Sequence, residues 1–430
     1  MDDDHSSLAA SMRVLSPPAT AESVTRTRSG LGLSRVLKFM GPAFVVSVAY
    51  MDPGNFGTNI TAGSAFNYSL LWVLLWSNAF AVLLQTLSAK LGIATGMDLP
   101  AICRTEFSKS VNRFLWLAGM GAAIATNVAE FLGGALGFYL LFGIPPFWGA
   151  VLTGIVSYFI LELSKFGQER VEVAISGLVS IISLCFVIEI FLVKPDWPAI
   201  ALHTLVPSLT SESLFVAVGM LGATVMPHVI YLHSRLVQSR REGGLLEHSE
   251  HLLCEKVDVS VAMNVAFVIN AAMVVVSAAT FHSRGLVVES IEVAHQTLSP
   301  LLGNLSGVAF GIALLASGLS SSAVGTYAGQ VIVEGFVSIR MPLWAKRLVT
   351  MLPAVAIISM GLDPVKVLVT SQVMLSIALP AAIVPLLVLT GRQNVMGSFV
   401  NNRRTALAGW TTCALIVALN AALIWSVLIG

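Results

Sequence analysis

Three side chains able to bind a metal ion occur at two points in the sequence, each beside a proline within a long apolar run. Asp52 and Asn55 lie three residues apart in "MDPGN", and Met226 directly precedes the proline of "VMPH". A carboxylate, an amide oxygen and a thioether together suit a borderline transition metal such as Mn²⁺ or Fe²⁺, because Mg²⁺ and Ca²⁺ prefer oxygen ligands alone. Methionine more commonly packs in a core, but the position of Met226 beside Pro227 favours a ligand. The two segments therefore predict a site for a divalent transition metal.

The composition places these segments in a membrane. Of the 430 residues, 56% are hydrophobic and 11% are charged, and the mean hydropathy is +0.84. Soluble domains carry about 25% charged residues. Apolar runs recur along almost the whole length, which is typical of an all-α protein with many transmembrane helices. The net charge of +1 gives no indication of nucleic-acid binding.

The polar and apolar runs divide the chain into a tail and a transmembrane domain. Residues 1–34 are rich in Ser, Thr and Ala and lack the basic and apolar segments of a secretory signal. We expect a disordered cytoplasmic tail there and a transmembrane domain over residues 35–430. A membrane-spanning helix needs about 20 apolar residues, which predicts eleven spans. They lie at 36–64, 70–94, 113–141, 147–164, 171–193, 213–237, 257–281, 304–336, 344–361, 364–390 and 406–429.

The basic residues predict the orientation of these spans. With the N-terminus in the cytoplasm, 21 of the 24 Lys and Arg fall on the cytoplasmic side. The three exceptions are Lys194, Arg284 and Lys366. Because cytoplasmic loops of membrane proteins are enriched in basic residues, we expect a multi-pass protein of the plasma membrane. Its N-terminus is predicted to be cytoplasmic and its C-terminus extracytoplasmic.

The first and sixth predicted spans each contain a proline, and each opens a block of five spans. Repeat one covers 36–193, repeat two covers 213–390, and 406–429 is an extra helix. Because five is odd, the second block crosses the membrane in the opposite sense, as in an inverted repeat. A single proline often only kinks a transmembrane helix, but two at corresponding places favour a site. Since a carbonyl freed by proline is costly in lipid, we expect a bound cation to satisfy the freed oxygens.

Three segments carry a resemblance to a known family. "MDPGN", "GATVMPHVIYLHS" (222–234) and "ASGLSSSAVGTYAGQVIVEGF" (316–336) resemble the hallmark segments of the Nramp family of divalent metal transporters, and the similarity runs from about residue 36 to the C-terminus. The resemblance implies a LeuT-like fold with inverted repeats and broken helices 1 and 6. It also implies a secondary transporter, not an enzyme, that imports Mn²⁺ or Fe²⁺ together with protons and needs no bound cofactor.

The same resemblance implies a set of metal ligands. The side chains that match ligand positions of the family are those of Asp52, Asn55 and Met226. The backbone carbonyls that match are those of Ala49 and Ala223. The two carbonyls are expected to bind in different conformations. Gln372, in the tenth span, matches a polar residue that approaches the metal when the site is occluded. From the sequence alone, a helix–helix hydrogen bond explains Gln372 equally well.

Coupling to protons needs titratable groups between the metal site and the cytoplasm. The candidates are Asp52, Glu130, His228, His233 and Arg347. An interhelical hydrogen bond suits His233 equally well. On family grounds we expect Arg347 to pair with a carboxylate of the third span, although a headgroup anchor is the alternative.

Residue 127 departs from the family pattern. Asn127 stands where many members carry an aspartate, and asparagine cannot accept a proton near neutral pH. We therefore expect metal transport without the usual proton relay: either Glu130 or His228 substitutes for the missing acid, or the metal moves with weak proton coupling. A metal uniporter without proton coupling is the alternative.

Two other function classes fit parts of the pattern. An amino-acid or organic-ion carrier of the same fold is expected to show glycine-rich breaks whose amides bind a substrate carboxylate, instead of a carboxylate beside a thioether. A membrane metalloenzyme would need several His or Asp ligands around a water, and a sensor would need a soluble output domain. The sequence leaves the oligomeric state open, and it is compatible with a monomer.

Overall fold

The protein is described by a computed structural model over residues 41–241, 248–288, 290–338 and 343–429, and within these ranges it forms helices and loops without a β-strand. The predicted tail at 1–34 lies outside the described residues. The α-helices are, in chain order, α1 Pro42–Ser47, α2 Pro53–Phe66, α3 Leu71–Thr95, α4 Leu99–Glu106, α5 Lys109–Phe142, α6 Pro146–Glu162, α7 Gln168–Leu192, α8 Trp197–Leu205, α9 Ser211–Thr224, α10 Pro227–Arg241, α11 His248–Thr280, α12 Ile291–Leu302, α13 Asn304–Val337, α14 Leu343–Ser359, α15 Pro364–Ala378, α16 Pro380–Thr390, α17 Gln393–Met396 and α18 Arg403–Ile429.

Nine helical segments of the described ranges are long and apolar enough to cross a membrane. They correspond to nine of the eleven predicted spans. The first predicted span is divided into the short helices α1 and α2, and the ninth corresponds to α14, which has 17 residues. The prediction of an all-α membrane protein is confirmed. The count of eleven spans and the bounds of the two repeats stay predictions.

Both predicted breaks are present, and each ends at a proline that begins a new helix. A 3₁₀ turn continues α1 to Met51, Asp52 adopts an extended backbone, and α2 begins at Pro53. In the second break α9 ends at Thr224, and α10 begins at Pro227. Proline fits the first turn of a helix, where its missing N–H has no intrahelical partner to lose. The two prolines therefore start the second halves of the helices at the positions that the sequence predicts.

The first broken helix lies inside the bundle. Helix α2 packs against α5, α9, α11 and α15 and also contacts α13, so other helices surround the residues that follow the break. The longest helices, α5 and α13, each have 34 residues and form the most extensive helix pair. They approach closely because a Cβ on Gly318 would lie only 2.4 Å from the backbone nitrogen of Gly134. Small residues at such contacts are typical of helix packing in membranes.

Candidate metal site

At the first break, two side-chain oxygen atoms of residues close in sequence are left without a hydrogen-bond partner within the described ranges. Asp52 Oδ1 caps α2 by accepting hydrogen bonds from the backbone nitrogen of Asn55 at 2.8 Å and from Asn55 Nδ2 at 2.7 Å. Both side chains are fully buried. Asp52 Oδ2 and Asn55 Oδ1 have no hydrogen-bond partner among the described residues. A buried carboxylate oxygen without a donor is costly, and the N-terminus of α2 offsets part of that cost through its dipole.

A hydrogen bond joins the two breaks. Asn55 Nδ2 donates to the carbonyl of Ala223 at 3.2 Å, although the two residues are 168 positions apart. Ala223 lies in the last turn of α9, just before the break. This contact places the Asp52–Asn55 pair against the second broken helix. The predicted convergence of the two breaks is therefore present in the structure.

Gln372 of α15 packs against both broken helices through two glycines. A Cβ on Gly54 would lie 1.8 Å from Gln372 Nε2, and a Cβ on Gly222 would lie 2.0 Å from the Gln372 carbonyl. Gly54 stands between Asp52 and Asn55, and Gly222 directly precedes Ala223. Gln372 Oε1 is buried and has no partner in the described part of the chain. Gln372 therefore lies with the oxygen pair of the first break, and its Nε2 donates to Ser371 Oγ of the same helix at 3.3 Å.

The two remaining predicted ligands are both buried at the breaks. Met226 has no exposed surface and lies between the end of α9 and Pro227, where the backbone is not helical. Ala49, also without exposed surface, is part of the 3₁₀ turn Val48–Met51. Within the described residues no three His, Cys, Asp or Glu side chains form a group suited to a metal ion. The first break therefore offers carboxylate and amide oxygens, and the role of the Met226 sulfur stays a prediction.

The expectation that a cation satisfies the carbonyls freed by the first break is wrong for two of them. Asn270 Nδ2 of α11 donates to the Tyr50 carbonyl at 2.6 Å, and Ser317 Oγ of α13 donates to the Met51 carbonyl at 2.6 Å. Side chains of neighbouring helices commonly satisfy such groups in membrane proteins. Neither Asn270 nor Ser317 was predicted from the sequence to bind the first break. Their polar side chains within apolar spans were the available signal.

The polar groups of α5 near the proposed proton route contact two neighbouring helices, α10 and α13. Thr126 Oγ1 lies 3.2 Å from His228 Nδ1, which connects α5 to the start of α10, and His228 Nε2 has no partner among the described residues. Asn127 Nδ2 donates to the Ala123 carbonyl of its own helix at 2.7 Å. Glu130 is buried, and a Cβ on Gly325 of α13 would lie 2.4 Å from its Oε2. The carboxyl group of Glu130 therefore lies between α5 and α13.

His233 belongs to a different polar chain. Its Nδ1 lies 2.9 Å from Gln85 Oε1, its Nε2 lies 2.8 Å from Glu255 Oε1, and Gln85 Nε2 donates to the Tyr50 hydroxyl at 2.7 Å. Because an amide oxygen only accepts hydrogen bonds, Nδ1 carries a proton. The contact with Glu255 then requires one further proton, located either on His233 Nε2 or on Glu255. The chain ends at Tyr50, two residues before Asp52.

Arg347 is the one predicted site residue that the structure does not place. It falls within α14, but its side chain lies outside the described residues. Glu255, Gln85 and Tyr50 were not predicted from the sequence. Glu255 is an acid buried to 1% exposure in α11, so an acidic residue just before an apolar span was the signal.

Comparisons with known proteins agree on one family. The family model described as natural resistance-associated macrophage protein-like matches residues 43–426. A divalent metal cation transporter MntH from Caldanaerobacter subterraneus subsp. tengcongensis is 54% identical over 403 residues, covering 93% of this chain and 96% of that protein. A crystal structure of the Eremococcus coleocola manganese transporter is 34% identical with a TM-score of 0.79, covering 93% of this chain and 88% of its own. The nucleobase-cation-symport-1 family transporter Mhp1, 12% identical with a TM-score of 0.62 over 90% of this chain and 92% of its own, is similar in fold alone.

Proposed function

The chain belongs to the Nramp family, and on that basis we propose that it imports Mn²⁺ or Fe²⁺ as a secondary transporter that holds the metal between its two broken helices. The protein is a helical membrane protein of LeuT-like fold that transports divalent metal ions. The metal is the transported substrate, and we propose no resident cofactor. We propose which metal is preferred, which residues bind it and how protons accompany it.

The observation that carries the proposal is the group of buried oxygens at the breaks. Asp52 Oδ2, Asn55 Oδ1 and Gln372 Oε1 are all buried without a partner among the described residues. The Asn55–Ala223 bond and the Gly54–Gln372 contact bring the elements that carry them together. One formal negative charge with neutral oxygens suits a divalent cation, and the thioether of Met226 favours Mn²⁺ and Fe²⁺ over Mg²⁺ and Ca²⁺.

The breaks also give a route for alternating access. An interrupted helix bends at low cost, because no backbone hydrogen bond of the helix crosses the break, and in transporters of this type one half moves around a site near the bilayer centre. In the present conformation the Ala223 carbonyl accepts a hydrogen bond from Asn55. We propose that this bond is released when metal binds, so that the Asn55 amide reorients and the carbonyl becomes a ligand. Ala49 would supply its carbonyl in another conformation.

Two groups support a role for protons in the transport cycle. The His233–Glu255 contact holds one proton and connects through Gln85 to Tyr50 beside the metal site. His228 contacts α5 one helical turn from Glu130. Asn127 interrupts a relay of acidic groups along α5, because its amide donates to the Ala123 carbonyl of its own helix and cannot accept a proton. We propose that protons accompany the metal with a stoichiometry below one, with the His233–Glu255 pair as the main acceptor.

Uptake of radioactive Mn²⁺ into proteoliposomes tests the site. Asp52→Ala should lower the initial rate at low Mn²⁺ by at least about tenfold, because metal affinity depends strongly on its ligands. Asp98→Ala is the matched control, since Asp98 also caps a helix, by accepting from the Ala101 nitrogen at 2.9 Å. Both variants lose a cap worth about 1 kcal/mol. Equal uptake by the two variants would contradict the metal site.

A metal uniporter is the second candidate function, and Asn127 is the observation that favours it. An internal pH dye in the same liposomes separates the two candidates. Under the symport proposal Mn²⁺ entry acidifies the interior of wild-type liposomes, and Glu255→Gln removes the acidification while Mn²⁺ still enters. Wild-type uptake with no pH change would establish the uniporter.

A further inference from the structure

A cavity of about 480 Å³ lies away from the metal site, between α3, α11 and the segment that leads into α18. Its wall is mainly apolar and includes Ala79, Val82, Leu83 and Leu252. Two lysines, one from α3 and one from α11, complete the lining together with polar groups of the segment before α18. The cavity therefore combines an apolar wall with a positively charged end.

The two lysines have no counter-charge among the described residues. The ammonium groups of Lys90 and Lys256 repel one another, and neither forms an ion pair with a described carboxylate. Lys90 donates one hydrogen bond, to Asn401 Oδ1. An ammonium group has three donors, so two remain on Lys90. Lys256 is exposed and makes no hydrogen bond that would satisfy its donors within the described chain.

Further groups around the cavity add positive charge or hydrogen-bond donors. Asn402 and Thr405 line it, and the ring of His248 lies 6.3 Å from the ring of Phe399, another lining residue. Arg403 and Arg404 follow directly at the start of α18. By the distribution of basic residues, this end of the bundle faces the cytoplasm, where the leaflet contains anionic lipids.

We propose that this cavity binds an anionic phospholipid of the cytoplasmic leaflet, with the phosphate between Lys90 and Lys256 and an acyl chain along the apolar wall. A phosphate group removes the repulsion between the two lysines and accepts hydrogen bonds from both. The apolar wall favours a lipid over a soluble anion, because a soluble anion would leave the apolar surface of Leu83 and Leu252 without a partner. The bound lipid would connect α3 and α11 to the segment that leads into the last helix.

Native mass spectrometry of delipidated protein in detergent tests the proposal. Phosphatidylglycerol should bind several-fold more tightly than phosphatidylcholine. Lys256→Gln should weaken phosphatidylglycerol binding about fivefold, which is the effect expected of one lysine on an anionic lipid. Lys256→Arg should bind as the wild type does, and Lys109→Gln is the matched control because Lys109 is exposed on the same predicted side but outside the cavity. Equal binding of the two lipids, or equal effects of Lys256→Gln and Lys109→Gln, would overturn the proposal.

Two further arms separate a lipid from a soluble anion and from a folding defect. Glycerol 1-phosphate has the same anionic group without acyl chains, and it should not displace phosphatidylglycerol at equal concentration; displacement would assign the cavity to a soluble anion instead. Ala79→Trp fills the apolar wall without changing charge. It should also weaken phosphatidylglycerol binding, and unchanged binding would contradict the acyl-chain position.

Discussion

Asp52 serves both the fold and the proposed site with its two carboxylate oxygens. Oδ1 caps α2 and orients the Asn55 side chain, while Oδ2 has no partner among the described residues. Because the cap fixes the carboxylate, it also fixes the second oxygen, which would lower the entropic cost of binding a metal at the proposed site. Asn55 repeats this arrangement, because its Nδ2 bonds to Asp52 and Ala223 and its Oδ1 stays available.

The sulfur of Met226 is expected to set selectivity. Met226→Ala should retain Mn²⁺ uptake and admit Ca²⁺ or Mg²⁺, because the remaining oxygen ligands do not discriminate against these ions. Uptake of each ion into liposomes is the measurement. Met220→Ala is the matched control, since Met220 is equally buried in α9 but not at the break. Unchanged selectivity in Met226→Ala would contradict the role of the sulfur.

Residue 127 is expected to limit proton coupling. Asn127→Asp should increase the acidification that accompanies Mn²⁺ uptake. A carboxylate at this position of α5 would lie between Glu130 and the contact with His228 of α10, and it would accept a proton there. The pH dye assay measures the ratio of protons to metal. Asn127→Ser, which is polar but not titratable, should leave the ratio unchanged. A wild-type ratio already at one proton per metal would refute the prediction.

At the scale of elements, the first break depends on contacts from other helices. The start of α1 is held by Asp258 of α11, whose Oδ2 accepts from the backbone nitrogens of Gly41 at 2.9 Å and Ala43 at 3.0 Å. The end of the same segment is held by Asn270 and Ser317 through the freed carbonyls. A six-residue helix is too short to be stable alone, so these contacts determine its position.

Removing one of these contacts should lower stability. Ser317→Ala leaves the Met51 carbonyl buried without a donor, which should cost about 1–3 kcal/mol of unfolding free energy. Ser320→Ala is the matched control, because its equally buried hydroxyl bonds at 2.7 Å to the Ala316 carbonyl of its own helix. Thermal unfolding in detergent is the measurement. The two variants should differ in Tm, and equal values would show that the Ser317 bond contributes little.

The approach of α15 to α2 should depend on Gly54. Gly54→Ala places a Cβ against the Gln372 side chain, which must move, and overpacking of this kind costs about 1–3 kcal/mol. We expect a several-fold loss of Mn²⁺ uptake, because Gln372 leaves the site. Gly121→Ala on α5 is the control, since nothing lies within 4 Å of a Cβ there. Normal uptake by Gly54→Ala would contradict a role of Gln372 in metal binding.

At the scale of the whole molecule, the two longest helices pack beside the breaks and bring the proton candidates near them. A Cβ on Gly133 of α5 would lie 2.1 Å from the Pro53 side chain, so α5 contacts the first break directly. Glu130 lies one helical turn earlier, against Gly325 of α13. A motion of α2 would therefore change the environment of Glu130, which would give the proposed coupling of metal and proton movement a physical basis.

The orientation of the molecule can be measured by cysteine labelling. All four native cysteines are buried, so we expect them to react slowly. A membrane-impermeant maleimide added to intact cells should label Lys194→Cys and leave Lys109→Cys unlabelled, because the basic residues predict that these exposed positions lie on opposite sides. The reverse pattern would invert the topology, and labelling of both would contradict the predicted spans.

The sequence by itself determined the class of the protein and the two breaks, and it predicted the type of ligand. Low charge and long apolar runs require membrane helices, prolines begin the second half of each broken helix, and an acid beside a break is a local signal. Only the tertiary structure decided which groups meet. Asn55 and Ala223 are 168 positions apart, Asn270 and Tyr50 are 220 apart, and Ser317 and Met51 are 266 apart. Such contacts depend on helix packing and close approach at glycine, and neither periodicity nor residue type encodes which partner a buried side chain finds.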